Sequence, residues 1–130
     1  MRAATDRAVR ASYARDASGM TMLPDDVLRP RDEQDVSEAL AAATAARGTV
    51  TVAGAQTSTT GASITDRGAL MSLRALDQVV RIDVERRTVR ASTGVIVADL
   101  RRACAEAGLL FTPDPTADES STVGGAVACN

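Results

Sequence analysis

The stretch TVTVAGAQTSTTG, residues 49–61, predicts a short strand that runs directly into a loop of small and hydroxyl-bearing residues. The strand covers Thr49–Ala53, and the first loop runs from Gly54 to Gly61. Backbone N–H groups in a glycine-bearing turn, together with serine and threonine hydroxyls, can hold a pyrophosphate without a positive side chain. Taken alone, an ordinary connection between strands is an equal alternative, because Ser/Thr-rich turns are common.

Neither of the two common nucleotide fingerprints fits this loop. A G-x-x-x-x-G-K-[ST] phosphate loop needs a lysine, and the chain contains none. Gln56 breaks the G-x-G-x-x-G spacing of nicotinamide-binding loops. Both common nucleotide-binding folds are therefore disfavoured.

A strand and a helix are predicted before this loop. Residues 27–29 form a short strand that ends at Pro30, which cannot donate to a ladder. Acidic residues at 32–35 mark the start of a helix, and Gly48 marks its end. The apolar positions that recur on one helix face are Val36, Leu40 and Ala43. Residues 1–14 predict another short helix, and residues 15–19 a turn.

The second half predicts a strand, a hairpin and a helix. Residues 70–73 are a short apolar strand, and residues 80–84 and 88–92 alternate with period two on either side of a short polar turn. A helix follows at about 97–107 and stops at Gly108. Its inward residues are Leu100, Ala103, Cys104 and Ala107.

The tail carries a second loop of small residues. Pro113-Asp114-Pro115 predicts an extended segment, and residues 116–121 a polar loop. The second loop, residues 120–125, ends in the double glycine Gly124-Gly125, where a new element begins. It has the same hydroxyl-rich, low-bulk character as the first loop.

Composition excludes several classes of protein. The 130 residues are 45% hydrophobic and 25% charged, which fits one globular domain rather than a disordered chain. A net charge of −2, scattered arginines and 2% aromatic residues argue against a nucleic-acid-binding module. No segment has the roughly 20 apolar residues of a membrane span, and residues 1–13 lack a secretory apolar region. A cytoplasmic location is expected.

The absence of histidine removes several chemistries. Ser-His-Asp triads, Cys-His pairs and histidine-ligated metal centres cannot form within this chain. The two cysteines, Cys104 and Cys129, are too few for a metal site, and Cys104 is expected to pack in the core. We assign no catalytic residue and no metal ligand, and we interpret the acids in residues 114–119 as solvated.

Five landmarks in order carry a family resemblance. They are Leu28-Arg29-Pro30 with Asp35-Val36, the loop 53–62, the hairpin Val80–Ser92, Gly94-Val95, and Pro113-Asp114-Pro115 through Gly125. This order resembles the FAD-binding domain of the vanillyl-alcohol oxidase and p-cresol methylhydroxylase type. Residues 13–18 are similar to the lead-in of its 2-hydroxyacid branch, which includes glycolate oxidase and D-lactate dehydrogenase. The implied fold is α+β: a small α/β subdomain followed by the start of a second, mixed-sheet subdomain.

The resemblance implies FAD as the cofactor, with both loops around its pyrophosphate. Glycines at 124 and 125 would let the backbone approach it closely. Gln56 and Ser58 stand where relatives often have glycine, so their side chains are expected to contact phosphate. The first loop has no histidine or cysteine, so the FAD is expected to be noncovalent. The implied cofactor-binding residues are Gly54, Ala55, Gln56, Thr57, Ser58, Gly61, Ser121, Thr122, Gly124 and Gly125, with Pro115 and Asp118 flanking the flavin.

The resemblance also implies a domain division and an activity. Residues 1–19 are the lead-in, and residues 20–130 an FAD-binding domain truncated at its C-terminal end. The expected reaction is oxidation of a 2-hydroxy acid such as glycolate or D-lactate by hydride transfer to FAD. The substrate would be bound mainly by C-terminal parts outside this chain, which alone is expected to be inactive. An electron-acceptor or iron–sulfur partner is compatible with this branch.

Two alternatives stay open at this point. One is a flavoprotein similar to UDP-N-acetylenolpyruvoylglucosamine reductase, which shares the fold and should match the lead-in less well. The other is a non-catalytic remnant without flavin, for which the short length is the main argument.

Overall fold

The computed structural model describes residues 3–129 and contains four helices and five strands within them. The helices are α1 (Arg7–Ser12), α2 (Glu33–Ala45), α3 (Val97–Glu106) and α4 (Val123–Cys129). The strands are β1 (Asp26–Leu28), β2 (Val50–Ala53), β3 (Ala69–Ser72), β4 (Val79–Asp83) and β5 (Thr88–Ala91). The predicted elements are present, with bounds shifted by a few residues.

A three-stranded parallel sheet forms the first part of the fold. Its strand order is β1-β3-β2, with Val27 and Thr51 both opposite Leu70. Helix α2 connects β1 to β2, which lie on either side of β3. Because the strands are parallel, their carboxyl ends lie at one edge of the sheet, where open α/β sheets usually bind ligands. The first loop leaves β2 at this edge.

Apolar strand residues are the buried centre of this sheet. Val27, Leu70 and Met71 expose 1% or less of their surface, and Ala53 exposes 1%. Burial of such side chains stabilises a fold by roughly 1.5–3 kcal/mol each. The short strands are therefore held by their packing as well as by ladder hydrogen bonds.

The second part is the β4–β5 hairpin packed against α3. Val95, Leu100 and Cys104 form its buried cluster, and Ile82 and Val89 of the hairpin pack against them. The expected core position of Cys104 is confirmed, with 3% of its surface exposed. This part is the predicted start of a second subdomain.

The predicted apolar face of α2 is wrong at Leu40, which is 44% exposed. The helix instead directs residues 35, 38, 39, 42 and 43 toward a cavity of about 510 Å³ beside the amino ends of the strands. At the start of the helix, the Asp32 carboxylate accepts from the Asp35 N–H at 2.8 Å, and Arg31 donates twice to the Asp35 carboxylate. Asp35 is consequently buried.

The period-two alternation of apolar residues predicted more buried residues in the hairpin than the structure has. Val80 and Val84 are 56% and 54% exposed, whereas Ile82 packs on the core. The register shifts between Val79 and Arg81, and Val84 lies in the turn rather than in the strand. Both deviations remove a valine from the face that the alternation predicted.

The lead-in helix is shorter than predicted. Helix α1 begins after Asp6, whose carboxylate accepts from the N–H groups of Ala8 and Val9. Residues 3–6 and 13–14 of that prediction are not helical, whereas Met1 and Arg2 lie outside the described residues, as does Asn130 at the end of the predicted last element. None of the helices in residues 3–129 has the length and apolar character needed to cross a bilayer.

Candidate cofactor site

The first loop offers backbone donors rather than charged side chains. It begins where β2 ends, at Ala53, and all its residues are small except Gln56. Among the described residues, no protein acceptor takes the N–H groups of Ala55, Thr57 or Ser58. The Ser58 hydroxyl lies 3.1 Å from that of Thr60 and accepts from the Thr60 N–H. Unused amides in a turn form an anion-binding concavity.

Gln56 faces the protein, contrary to the expectation that its side chain contacts phosphate. Its Nε2 donates to the carbonyl oxygens of Tyr13 at 2.8 Å and Ser63 at 3.3 Å. Its backbone has a φ of 57°, a left-handed conformation that non-glycine residues rarely adopt. Both Nε2 donors of Gln56 are therefore used by the protein, which leaves its backbone N–H as its donor to a phosphate.

The second loop is held by the segment before α3. Gly124 and Val123 donate their N–H groups to the carbonyls of Thr93 and Val95, each at 2.8 Å. In return, the first N–H groups of α3, from Val97 and Ala98, donate to carbonyls of the second loop region at residues 121 and 118. Two of the first N–H groups of α3 are thus satisfied by protein rather than left for a ligand.

The two loops meet through their hydroxyl residues. Thr57 Oγ1 lies 3.2 Å from Ser121 Oγ, across 64 residues of sequence. Thr122 is 2% exposed, and its Oγ1 sits so close to Gly54 that a Cβ at position 54 would overlap it. The same oxygen accepts from the Gly125 N–H at 3.2 Å. Residues that are distant in sequence therefore build one surface lined by amides and hydroxyls.

A family model described as "FAD binding domain" matches residues 24–130. This chain belongs to that FAD-binding family. The expected family and cofactor are confirmed.

Two curated relatives and one solved structure are similar to this chain. Glycolate oxidase subunit GlcD of Bacillus subtilis is 32% identical over 118 residues, covering 89% of this chain and 25% of the relative. D-2-hydroxyglutarate dehydrogenase of Pseudomonas putida is 31% identical over 125 residues, covering 94% and 12%. Alkyldihydroxyacetonephosphate synthase superposes with a TM-score of 0.84 at 19% identity, over 97% of this chain and 26% of that chain.

These matches confirm the α+β fold of FAD-binding domains of this type. The solved structure, at 19% identity, supports the fold alone. The chain spans less than a third of the length of the curated relatives it matches.

The residues present fit the FAD pyrophosphate. The free N–H groups of the first loop can donate to phosphate oxygens, and the small side chains around them leave room for a ligand. The hydroxyls of Thr57 and Ser121 lie 3.2 Å apart and pair with each other, so one proton of the pair is left to donate to a ligand. Residues 3–129 contain no cluster of three metal-ligating side chains.

The glycines of the second loop also pack closely against the protein itself. A Cβ on Gly124 would lie 2.8 Å from the Thr93 Cβ and 3.0 Å from the Thr93 carbonyl oxygen. A Cβ on Gly125 would lie 3.1 Å from Thr122 Oγ1. A side chain at Gly124 would therefore clash with Thr93, whereas one at Gly125 would be in tight contact with Thr122.

Asp118, which was expected to flank the flavin, pairs with Arg101. The Arg101 guanidinium donates to Asp118, to Asp114 and to the Pro113 carbonyl, each at 2.8 Å. Hydrogen bonding to Asp114 raises the pKa of Arg101, despite the opposing effect of desolvation. Pro115 is half-buried in the segment that this arginine holds. The acids at 114 and 118 are thus ion-paired rather than simply solvated.

Some residues that shape the FAD-binding domain gave no signal of that role in the sequence. Thr93 contributes a backbone carbonyl, a group that every residue has. Tyr13 acts in the same way behind Gln56. Gly94, whose Cβ would clash with the Leu76 and Leu73 carbonyls, belongs to one of the five landmarks of the resemblance.

Proposed function

We propose that this chain is the FAD-binding segment of a flavin-dependent oxidoreductase that oxidises a 2-hydroxy acid and holds FAD without a covalent bond. One observation carries the proposal: two loops of small residues meet at the carboxyl edge of the sheet and present unused amides beside the Thr57 and Ser121 hydroxyls. The relatives named for glycolate, D-lactate and D-2-hydroxyglutarate favour a 2-hydroxy acid over the sugar-nucleotide reductase alternative.

The role of this chain is to bind and orient the cofactor. The amides of Ala55, Thr57 and Ser58 would hold the pyrophosphate, and the rigid contact between the loops would fix its position. When bound, FAD supplies an acceptor for the hydride from C2 of the acid. We assign no residue of this chain as the base that takes the hydroxyl proton, so we expect the chain alone to bind FAD without turnover.

FAD uptake tests the cofactor part of the proposal. The chain is mixed with FAD, desalted, and its visible absorption spectrum recorded. We expect a retained flavin band, and acid precipitation should release all of the FAD into the supernatant if the bond is noncovalent. A folded chain that retains no flavin would contradict the proposal.

A ligand series separates pyrophosphate recognition from flavin stacking. ADP carries the pyrophosphate without the flavin, whereas riboflavin carries the flavin ring without phosphate. We expect ADP to compete with FAD and riboflavin not to compete, because the backbone amides of the first loop would donate to phosphate oxygens. If riboflavin competed with FAD and ADP did not, the main contacts to FAD would lie outside these two loops.

The substrate class is tested on the protein expressed from its complete reading frame. Anaerobic mixing of its FAD form with glycolate, D-lactate or D-2-hydroxyglutarate should bleach the visible flavin band with at least one acid. L-Lactate, which differs from D-lactate only in configuration, is the control. No bleaching with any 2-hydroxy acid would reject this class.

A further inference from the structure

Gln56 occupies a backbone conformation that costs free energy, and its side chain shows what the conformation achieves. The φ of 57° is left-handed, and glycine would adopt it without strain. The Gln56 amide bridges the carbonyls of Tyr13 and Ser63, 43 residues before it and seven after it. The start of the first loop is thereby fixed to the lead-in.

A second link fixes the far end of the same loop region. The Ser63 hydroxyl donates to Asp16 Oδ2 at 3.0 Å, and Ser63 is 9% exposed. Asp16 Oδ1 also accepts from the N–H and hydroxyl of Ser18, at 3.0 and 2.5 Å. The lead-in residues 13–18 therefore contact the first loop near its start, at Gln56, and the chain just after the loop, at Ser63.

The lead-in is itself anchored to the body of the fold. Arg10 Nε donates to the Pro24 carbonyl at 2.6 Å, and the Met22 N–H donates to the Ala14 carbonyl at 2.8 Å. Ala14 is 3% exposed. The family match begins at residue 24, so these contacts come from a segment outside the matched span.

We propose that residues 13–18 support the first loop from the side opposite the FAD pyrophosphate. Gln56 is the residue that positions the loop on this support. The inference rests on the proposed function, because that function places the pyrophosphate on the outer side of the loop. The amide tether holds the left-handed backbone of Gln56 in place through its bonds to the carbonyls of Tyr13 and Ser63.

The test compares three variants in the full chain. Gln56→Gly removes both the tether and the backbone strain, and Gln56→Met removes the donors while keeping the side-chain size. Arg47→Gly is the matched control, since Arg47 has a φ of 52° at the end of α2. The readouts are NMR order parameters of residues 54–61 without FAD, and the Kd for FAD.

We expect both Gln56 variants to lower the loop order parameters from about 0.85 to below about 0.6. The Kd for FAD should rise about tenfold, the effect of losing about one net hydrogen bond. The control should change neither quantity. Rigid loops in both variants, or a mobile loop with an unchanged Kd, would overturn the inference. If the unsubstituted chain takes up no FAD, the proposed function fails, and the order parameters still decide whether the tether holds the loop.

Discussion

Gly54 is the residue at which the site tolerates least change. A Cβ there would overlap Thr122 Oγ1, which is buried and accepts from the Gly125 N–H. Gly54→Ala must therefore displace that hydroxyl and loosen the second loop. We expect a loss of about 1–3 kcal/mol in the free energy of unfolding, together with loss of FAD retention.

A double-mutant cycle tests this reason. Thr122→Ala removes the overlapping oxygen, so Gly54→Ala should be less damaging in that background, as measured by urea unfolding. Gly48→Ala is the control, because a Cβ there meets only the Ala43 carbonyl oxygen at 3.7 Å. Strictly additive losses at 54 and 122 would show that the overlap is not the cause.

The contribution of Asp16 to the stability of the chain depends on pH. Desolvation raises its pKa, but hydrogen bonds from Ser18 and Ser63 outweigh this and hold the pKa below its ordinary value of 3.8. The resulting stabilisation is complete above pH 3.8 and is lost as the pH falls through the lower folded value. Asp16→Asn should therefore lower the unfolding free energy near neutral pH by about 1–2 kcal/mol.

Urea unfolding of Asp16→Asn and the unsubstituted chain between about pH 2.5 and 6 measures this. The difference between the two proteins should shrink below pH 3.8, because protonated Asp16 loses the charge that strengthens its bonds. A constant difference at every pH would contradict the assignment.

At the scale of elements, two helices end in the same hydrogen-bonded motif with different residues. After α2, the Gly48 N–H donates to the Ala43 carbonyl and Arg47 is left-handed, so Arg47 rather than the predicted Gly48 makes the stop. After α3, the Leu109 N–H donates to the Cys104 carbonyl and the left-handed residue is Gly108. Glycine is the residue that this position favours.

The comparison predicts opposite effects at the two ends. Arg47→Gly should raise the free energy of unfolding by about 0.5–1 kcal/mol by relieving the left-handed backbone. Gly108→Ala should lower it by about 1 kcal/mol, because a Cβ there is strained although nothing lies within 4 Å. Urea titrations at one pH give both values, and the same sign for both changes would refute the explanation.

The sequence predicted α3 better than α2 for a physical reason. Leu100 and Cys104 are strongly apolar residues at helical spacing, so they mark the buried face of α3. Alanines dominate α2 and contrast little with their neighbours, so apolar spacing does not mark which of its faces is buried. In the site, the loop composition indicated phosphate binding. The Gln56 contact with Tyr13 could not be predicted, because a bond across 43 residues leaves no periodic pattern.

At the scale of the whole molecule, FAD should bind the two parts of the fold together. The first loop belongs to the parallel sheet and the second to the α3 part, and they touch at Thr57 and Ser121. A ligand that binds only the folded chain at 100 times its Kd stabilises it by about 2.7 kcal/mol. We expect the melting temperature to rise with FAD concentration and not with riboflavin. A melting temperature that is independent of FAD would contradict a site shared by both loops.

The contact between Thr57 and Ser121 also sets an order of events in time. Its partners are 64 residues apart, so the first loop leaves the ribosome long before the residue that completes the site. Forming a contact of such long sequence separation costs loop-closure entropy before the contact stabilises the chain. Such contacts therefore tend to form slowly. FAD therefore has little effect on the early steps of folding, but it stabilises the chain once it is folded. We expect added FAD to slow the unfolding rate while leaving the refolding rate nearly unchanged.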